Sequence, residues 1–69
     1  MWTNEQIHNV IMHLKDDGIS YKYLASISGI SYDSFYYYKE KRRYPVDIRL
    51  KIENAIKSMF GDEINEYCK

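Results

Sequence analysis

The sequence predicts an all-α fold, a compact bundle of four to five short helices. Two observations predict it. A Ser or Thr between two apolar residues at fixed spacing occurs three times in the first 35 residues, and apolar residues recur behind it at helical intervals. A chain of 69 residues buries only about 60% of the surface that its unfolded form exposes, so it supports one thin core. We therefore expect residues 1–69 to form a single domain.

Three hydroxyl residues are predicted to cap the starts of three helices. A Ser or Thr side chain at this position accepts a hydrogen bond from a free backbone N–H in the first turn. The flanking apolar residues close over the cap as a hydrophobic staple, and Thr3 with Gln6 also completes a capping box. The three caps with their flanking pairs are Thr3 between Trp2 and Ile7, Ser20 between Ile19 and Leu24, and Ser31 between Ile30 and Phe35.

The helix boundaries follow from these caps and from the positions of glycine and proline. Gly18, Gly29 and Gly61 are expected to end helices, and Pro45 suits a first helical turn. Residues 35–38 would also fit a β-strand, but they lack polar alternation and directly follow a cap. The predicted helices run from about Asn4 to Asp16, Tyr21 to Ser28, Tyr32 to Lys41, and Pro45 to Phe60, with residues 62–69 as a further short helix or tail.

Helical spacing also predicts which side chains form the core. In the last predicted segment, Ile64 and Tyr67 are the apolar positions. The side chains predicted to face inward in the four main helices are Ile7, Val10, Ile11, Leu14, Leu24, Ala25, Ile27, Phe35, Tyr38, Ile48, Ile52, Ala55, Ile56, Met59 and Phe60.

The charges are unevenly distributed along a chain whose formal net charge is zero. Residues 39–51 carry six basic and two acidic side chains, whereas the first twenty residues and residues 52–69 are each net acidic. Such a basic segment can hold a phosphate backbone locally, even in a neutral protein. The alternative is a solvated, charged turn.

Several functional classes receive no support from the sequence. No apolar run approaches the roughly 20 residues of a membrane span, and the first residues do not resemble a signal peptide. Cys68 is the single cysteine, which favours a cytoplasmic location over a disulfide-stapled secreted one. His8 and His13 are five residues apart and cannot share a metal from one helical face. We expect no metal, no cofactor and no enzymatic activity.

The most specific string is Leu24-Ala25-Ser26-Ile27-Ser28-Gly29-Ile30-Ser31. Two helices that cross over a tight turn need a small residue where they approach, which Ala25 supplies. The turn itself needs a residue with positive φ, which Gly29 supplies. This segment resembles the helix-turn-helix of the phage Cro and repressor (XRE-like) family over about residues 20–60. Tyr21, where the family often has Gln, and Lys41, in place of a frequent Gly, depart from its pattern.

The resemblance implies that the third helix reads DNA in the major groove. With Phe35 and Tyr38 on its buried side, the residues expected to contact bases are Tyr32, Asp33, Tyr36 and Tyr37. Basic side chains and helix N-termini would contact phosphates. The residues expected in that role are Ser20, Ser31, Lys39, Lys41, Arg42 and Arg43.

Together these features predict a sequence-specific regulator of transcription that binds double-stranded DNA, as a repressor from a phage or other mobile element. We expect it to act as a homodimer on a palindromic operator, because one reading helix covers only a few base pairs. Ile64 and Tyr67 are the predicted dimer contacts. The alternative is a protein-interaction module that binds a protein partner through the face of Tyr36 and Tyr37, since tyrosine is enriched in such interfaces.

Overall fold

The fold is a bundle of four α-helices and one 3-10 helix, seen in a computed structural model that describes residues 1–68, with Cys68 described for its backbone alone. No strand occurs in those residues, and the all-α prediction is confirmed. The aromatic residues 35–38 are helical, and Lys69, the end of the predicted tail, lies outside the described part. The elements are α1 (Asn4–Asp16), α2 (Tyr21–Ser28), α3 (Tyr32–Lys41), α4 (Val46–Phe60) and the 3-10 helix (Asp62–Cys68).

The first three helices begin at hydroxyl caps. Thr3 Oγ1 accepts the Gln6 N–H at 3.1 Å, and Gln6 Oε1 accepts the Thr3 N–H at 2.9 Å, which completes a capping box. Ser20 Oγ accepts the Tyr23 N–H at 3.1 Å, and Ser31 Oγ accepts the Ser34 N–H at 3.2 Å. The fourth helix differs, since Pro45 precedes it as the N-cap and gives no side-chain cap.

The same three helices end in Schellman turns, in which a left-handed residue is followed by an N–H that bonds a carbonyl five residues back. The left-handed residues are Gly18 (φ 96°), Gly29 (φ 72°) and Arg42 (φ 54°). The closing N–H···O bonds join Ile19 to Leu14 at 2.9 Å, Ile30 to Ala25 at 3.1 Å, and Arg43 to Tyr38 at 3.3 Å. Directly after α3, an arginine therefore occupies a conformation that usually favours glycine.

We expect Arg42→Gly to raise the free energy of unfolding by about 1 kcal/mol, because glycine adopts positive φ without the steric cost borne by other residues. Arg43→Gly removes the same charge at a residue without positive φ. That control variant should gain no stability. Urea unfolding of both variants beside the parent measures the difference. Equal stability of the two variants would contradict a strained end of α3.

The core lies where α2 packs on α3 and α4, and the 3-10 helix closes it against α1 and α4. Ile64 is only 2% exposed and belongs to this core. The prediction that Ile64 is a dimer contact is therefore wrong for the folded chain, because its side chain covers the end of the bundle. The buried apolar residues are Trp2, Ile7, Val10, Ile11, Leu14, Leu24, Ala25, Phe35, Tyr44, Ile52, Ile56 and Ile64.

Helix α4 departs from its predicted inward face near its end. Met59 was expected inside but is 51% exposed, because no element covers it beside a shallow groove that Ile19 and Phe60 also line. Glu53 is buried instead, although its charge favours the surface.

The buried carboxylate of Glu53 holds the N-terminal segment on α4. Its Oε1 accepts the Trp2 backbone N–H at 2.6 Å, and its Oε2 is 2.7 Å from the Lys57 ammonium. The Trp2 indole N–H donates to Asn65 Oδ1 at 3.2 Å, and so ties the same segment to the 3-10 helix. Burial acts to raise the pKa of Glu53, but hydrogen bonds from Lys57 and Trp2 outweigh it and hold that pKa below its ordinary value.

This pKa shift predicts how stability depends on pH. A carboxyl group with a lower pKa in the folded state stabilises the fold above its unfolded pKa, and the contribution is lost as the pH falls through the folded value. We expect Glu53→Gln to lower the free energy of unfolding at pH 7 by about 1–2 kcal/mol. The same variant should lose less further stability than the parent between about pH 5 and pH 3.

Melting temperatures across that pH range test the Glu53 prediction. Glu66→Gln is the control, because it makes the same change at an exposed position. Parallel pH profiles for the parent and Glu53→Gln would show that this carboxylate does not couple folding to pH.

Candidate nucleic-acid interface

Helices α2 and α3 are joined by the tight turn at Gly29. Ala25 and Phe35 are fully buried where the two helices meet the core, and the Ser28 hydroxyl donates to the Leu24 carbonyl at 2.7 Å. A Cβ atom at Gly29 would meet no atom within 4 Å, so the turn requires glycine for its positive φ and not for space. This seating fixes which side of α3 faces solvent.

The exposed side of α3 carries all four residues that were predicted to contact bases. Tyr32, Tyr36 and Tyr37 are 39%, 42% and 58% exposed, and Asp33 is exposed beside them in the first turn. Tyr38 is half-buried against the core. We call the set of Tyr32, Asp33, Tyr36 and Tyr37 the tyrosine face.

Aromatic contacts connect the tyrosine face to the core. The ring centroids of Tyr32 and Tyr36 are 6.0 Å apart, and Tyr36 lies edge-on to Tyr21 of α2 at 6.5 Å. Tyr21 in turn lies 6.2 Å from the buried ring of Phe35. Such tilted and edge-on pairs are favourable arrangements of aromatic rings. The rings of Tyr32 and Tyr36 are therefore held by neighbours on both helices.

Lys39 lies within this aromatic cluster. Its ammonium is 4.7 Å from the Tyr21 ring centroid and 4.3 Å from that of Tyr36, and it forms a 2.9 Å ion pair with Glu40. The hydrogen bond with Glu40 raises the pKa of Lys39, and the side chain is only 13% exposed. The phosphate contact at Lys39 stays a prediction, and its ammonium would have to leave Glu40 and the two aromatic rings to make it.

Other cations surround the tyrosine face. The Lys41 ammonium is 5.8 Å from the Tyr37 ring centroid, and that of Lys22 on α2 is 5.9 Å from the Tyr32 ring centroid. Arg42 and Arg43 are exposed at the end of α3. Sequence reasoning missed Lys22, because only the packing of α2 beside α3 brings it to this face.

The two hydroxyl residues predicted to contact phosphates lie at exposed helix starts. Ser20 and Ser31 each already accept a backbone N–H as caps, and the Ser31 hydroxyl also lies 2.9 Å from Ser34 Oγ. Both helix N-termini nevertheless face solvent through these residues. Exposed N-termini of this kind carry partial positive charge.

A buried tyrosine anchors the basic turn on α1. Tyr44 donates its backbone N–H to Asn4 Oδ1 at 2.9 Å, and its hydroxyl lies 3.1 Å from His8 Nδ1. Burial lowers the pKa of His8, and the nearby charge of Arg42 lowers it further; burial also raises the pKa of Tyr44. This pair fixes the turn that carries Arg42 and Arg43, and the basic composition of the segment concealed Tyr44 as a core residue.

Of the two predicted dimer contacts, Tyr67 alone lies at the surface. Its ring stacks on His13 with centroids 5.0 Å apart and a 20° angle between the planes. Since Ile64 is in the core, these residues do not form a continuous apolar patch.

No protein-family model, curated protein or solved structure matches this chain. None of the helices in residues 1–68 is both long and apolar enough to span a bilayer.

Proposed function

We propose that this protein binds double-stranded DNA in a sequence-specific manner and regulates transcription, as a repressor from a phage or other mobile element. The observation that supports this most is the placement of an exposed, polar aromatic face on the second helix of a helix-turn-helix. Phe35 is buried, while Tyr32, Tyr36 and Tyr37 are exposed on the same helix. A helix seated in this way can enter a major groove.

The chemistry of the tyrosine face suits base edges. A tyrosine hydroxyl donates or accepts a hydrogen bond, and its ring packs against a thymine methyl group, while Asp33 can accept from a cytosine amino group. The contacts with Tyr21 and Lys39 restrict the Tyr36 ring before DNA binds. A side chain that is already ordered loses less conformational entropy on binding.

The electrostatics favour a duplex, although the protein is neutral overall. Residues 20–43 contain five basic and two acidic side chains, and Lys22, Lys41, Arg42 and Arg43 remain exposed around the tyrosine face. Phosphate contacts from these cations would supply the sequence-independent share of affinity. The charges of Lys39 and Glu40 offset each other in an ion pair, which leaves four basic side chains and one acidic side chain in residues 20–43.

A second candidate function is protein binding through the same face. Asp33 is exposed on α3, and its carboxylate would be repelled by phosphates, whereas the Glu40 carboxylate is paired with Lys39. Tyrosine side chains held by neighbouring lysines also fit a protein interface. In that case the face would bind a folded partner without any duplex.

Selection from a pool of random duplexes decides between the two functions. The DNA-binding function predicts enrichment of one short motif, which is lost in a Tyr36→Ala/Tyr37→Ala variant. Tyr23→Ala is the control, because Tyr23 is as exposed as Tyr36 and lies outside the tyrosine face. An unenriched pool with the parent protein would reject DNA reading and favour protein binding. The symmetry of an enriched site, palindrome or direct repeat, reports how two copies are arranged.

A further inference from the structure

The C-terminal end of α4 borders an apolar groove with an acidic rim. Two adjoining clefts of about 250 and 300 Å³ share Ile19 and Phe60, and the exposed Met59 lines one of them. Carboxylates stand along the other cleft. We call this site the acidic groove and define it by Ile19, Met59, Phe60, Asp17, Glu63 and Glu66.

The N-terminal half of α4 presents the complementary surface. Val46 and Leu50 are 52% and 39% exposed and lie one helical turn apart on the same side. Lys51 is exposed and Arg49 is half-buried on either side of Leu50 in the helix, and Asp47 is the exposed acidic residue of this stretch. We call Val46, Arg49, Leu50 and Lys51 the basic patch. Exposed apolar side chains with basic neighbours match an apolar groove with an acidic rim.

Within one molecule, the basic patch and the acidic groove lie too far apart to contact each other. They lie toward opposite ends of one continuous helix, and about 20 Å separates Val46 from Met59 along its axis. At 100° per residue, Leu50 and Met59 also point to opposite sides of α4. The longest dimension of the whole molecule is 27 Å. The basic patch of a second copy can bind the acidic groove of the first. The groove of the second copy then stays free to bind a third.

We infer that the protein associates with itself head to tail, with the basic patch of one copy in the acidic groove of the next. Charge complementarity carries this inference: the chain is neutral, yet it places acidic and basic apolar surfaces at opposite ends of α4. A contact between two different surfaces is heterologous, so it continues into a chain or a closed ring and does not stop at a two-fold dimer. Neither surface includes a residue of α3, so the inference does not depend on DNA binding.

Sedimentation of the protein without DNA tests the association. At low salt, the average mass should keep rising with concentration beyond that of two copies. Near 1 M salt the rise should be largely lost, because the screening length there is only about 3 Å. A parent protein that stays monomeric at millimolar concentration in low salt, or that stops at a dimer, would overturn the inference.

Two variants separate the surfaces. The groove variant, Glu63→Lys/Glu66→Lys, reverses two exposed charges on the rim, and the patch variant, Val46→Gln/Leu50→Gln, removes two exposed apolar side chains. Each variant alone should remain monomeric with the helical content of the parent. Glu5→Lys is the control, because it makes the same kind of charge change at an exposed position outside both surfaces and outside the tyrosine face, and it should associate as the parent does.

Mixing the two variants gives the most specific result. The groove variant keeps an intact patch and the patch variant keeps an intact groove, so a mixture has one native contact available. We expect a one-to-one dimer that cannot grow further. If the mixture stays monomeric, or if either variant alone associates as the parent does, the head-to-tail contact between these surfaces is wrong.

Discussion

Phe35→Ala is expected to lower the free energy of unfolding by about 3–5 kcal/mol, the largest stability effect that we predict for a single substitution. Phe35 is fully buried, and its ring lies 6.2 Å from that of Tyr21, so it joins α3 to α2 and to the rest of the core. Truncation leaves a cavity that a thin, single core cannot readily fill. For a domain of this size the loss approaches the whole stability.

Urea unfolding followed by circular dichroism measures this effect, with Phe35→Leu as a milder variant that should remain folded. Tyr37→Ala is the matched control, because it removes an aromatic ring from the same helix at a position that is 58% exposed. It should change stability by about 0.5 kcal/mol or less. Comparable losses for Phe35→Ala and Tyr37→Ala would mean that the buried and exposed sides of α3 are assigned incorrectly.

The helix starts were predictable because their signals are local. The hydroxyl groups of Thr3, Ser20 and Ser31 each accept a backbone N–H from three residues later. Such a bond joins residues that are close in sequence and needs no contact with a distant segment. The end of α2 at Gly29 is predictable for the same reason, since glycine is the residue that takes positive φ without strain. The buried and exposed faces of α3 were predictable from the position of Phe35 and the helical spacing of its neighbours.

The features that sequence reasoning missed depend on contacts between distant residues. Lys39 is a surface cation by composition, and only the packing of Tyr21 against α3 turns its ammonium inward. Tyr44 is buried through His8, which lies 36 residues earlier. The short segment around Ile64 has no clear periodicity, so the sequence predicts this residue at the surface. It is buried because the 3-10 helix packs against α1 and α4. Helical periodicity carries no information about which neighbour covers a given face.

The end of α3 shows a different limit. Left-handed residues at helix ends are usually glycine, so Arg42 gives no sequence signal of its own. The closing bond from the Arg43 N–H to the Tyr38 carbonyl satisfies a backbone acceptor, and Tyr44 is anchored on α1 directly afterwards. We interpret the cost of Arg42 as offset by these neighbouring contacts.

Variants at the proposed phosphate contacts and at the proposed base contacts are expected to change DNA binding in different ways. Arg42→Gly/Arg43→Gln removes two exposed cations while leaving a left-handed end of α3 that glycine accommodates. It should weaken binding to specific and scrambled duplexes alike. The slope of log K against log salt should become shallower by about 1.8, since each phosphate contact contributes about 0.9.

Tyr36→Ala or Tyr37→Ala should instead cost about 1–3 kcal/mol on the selected site and little on a scrambled duplex, with the salt slope unchanged, because a base contact releases no counterions. The tyrosine-to-phenylalanine variants divide this loss between the hydroxyl and the ring, and Tyr23→Ala is the control at an exposed tyrosine elsewhere. Titrations of both duplexes at several salt concentrations give all these quantities. If both tyrosine variants bound each duplex as the parent does, α3 would not read DNA through the tyrosine face, and protein binding through it would become the leading function.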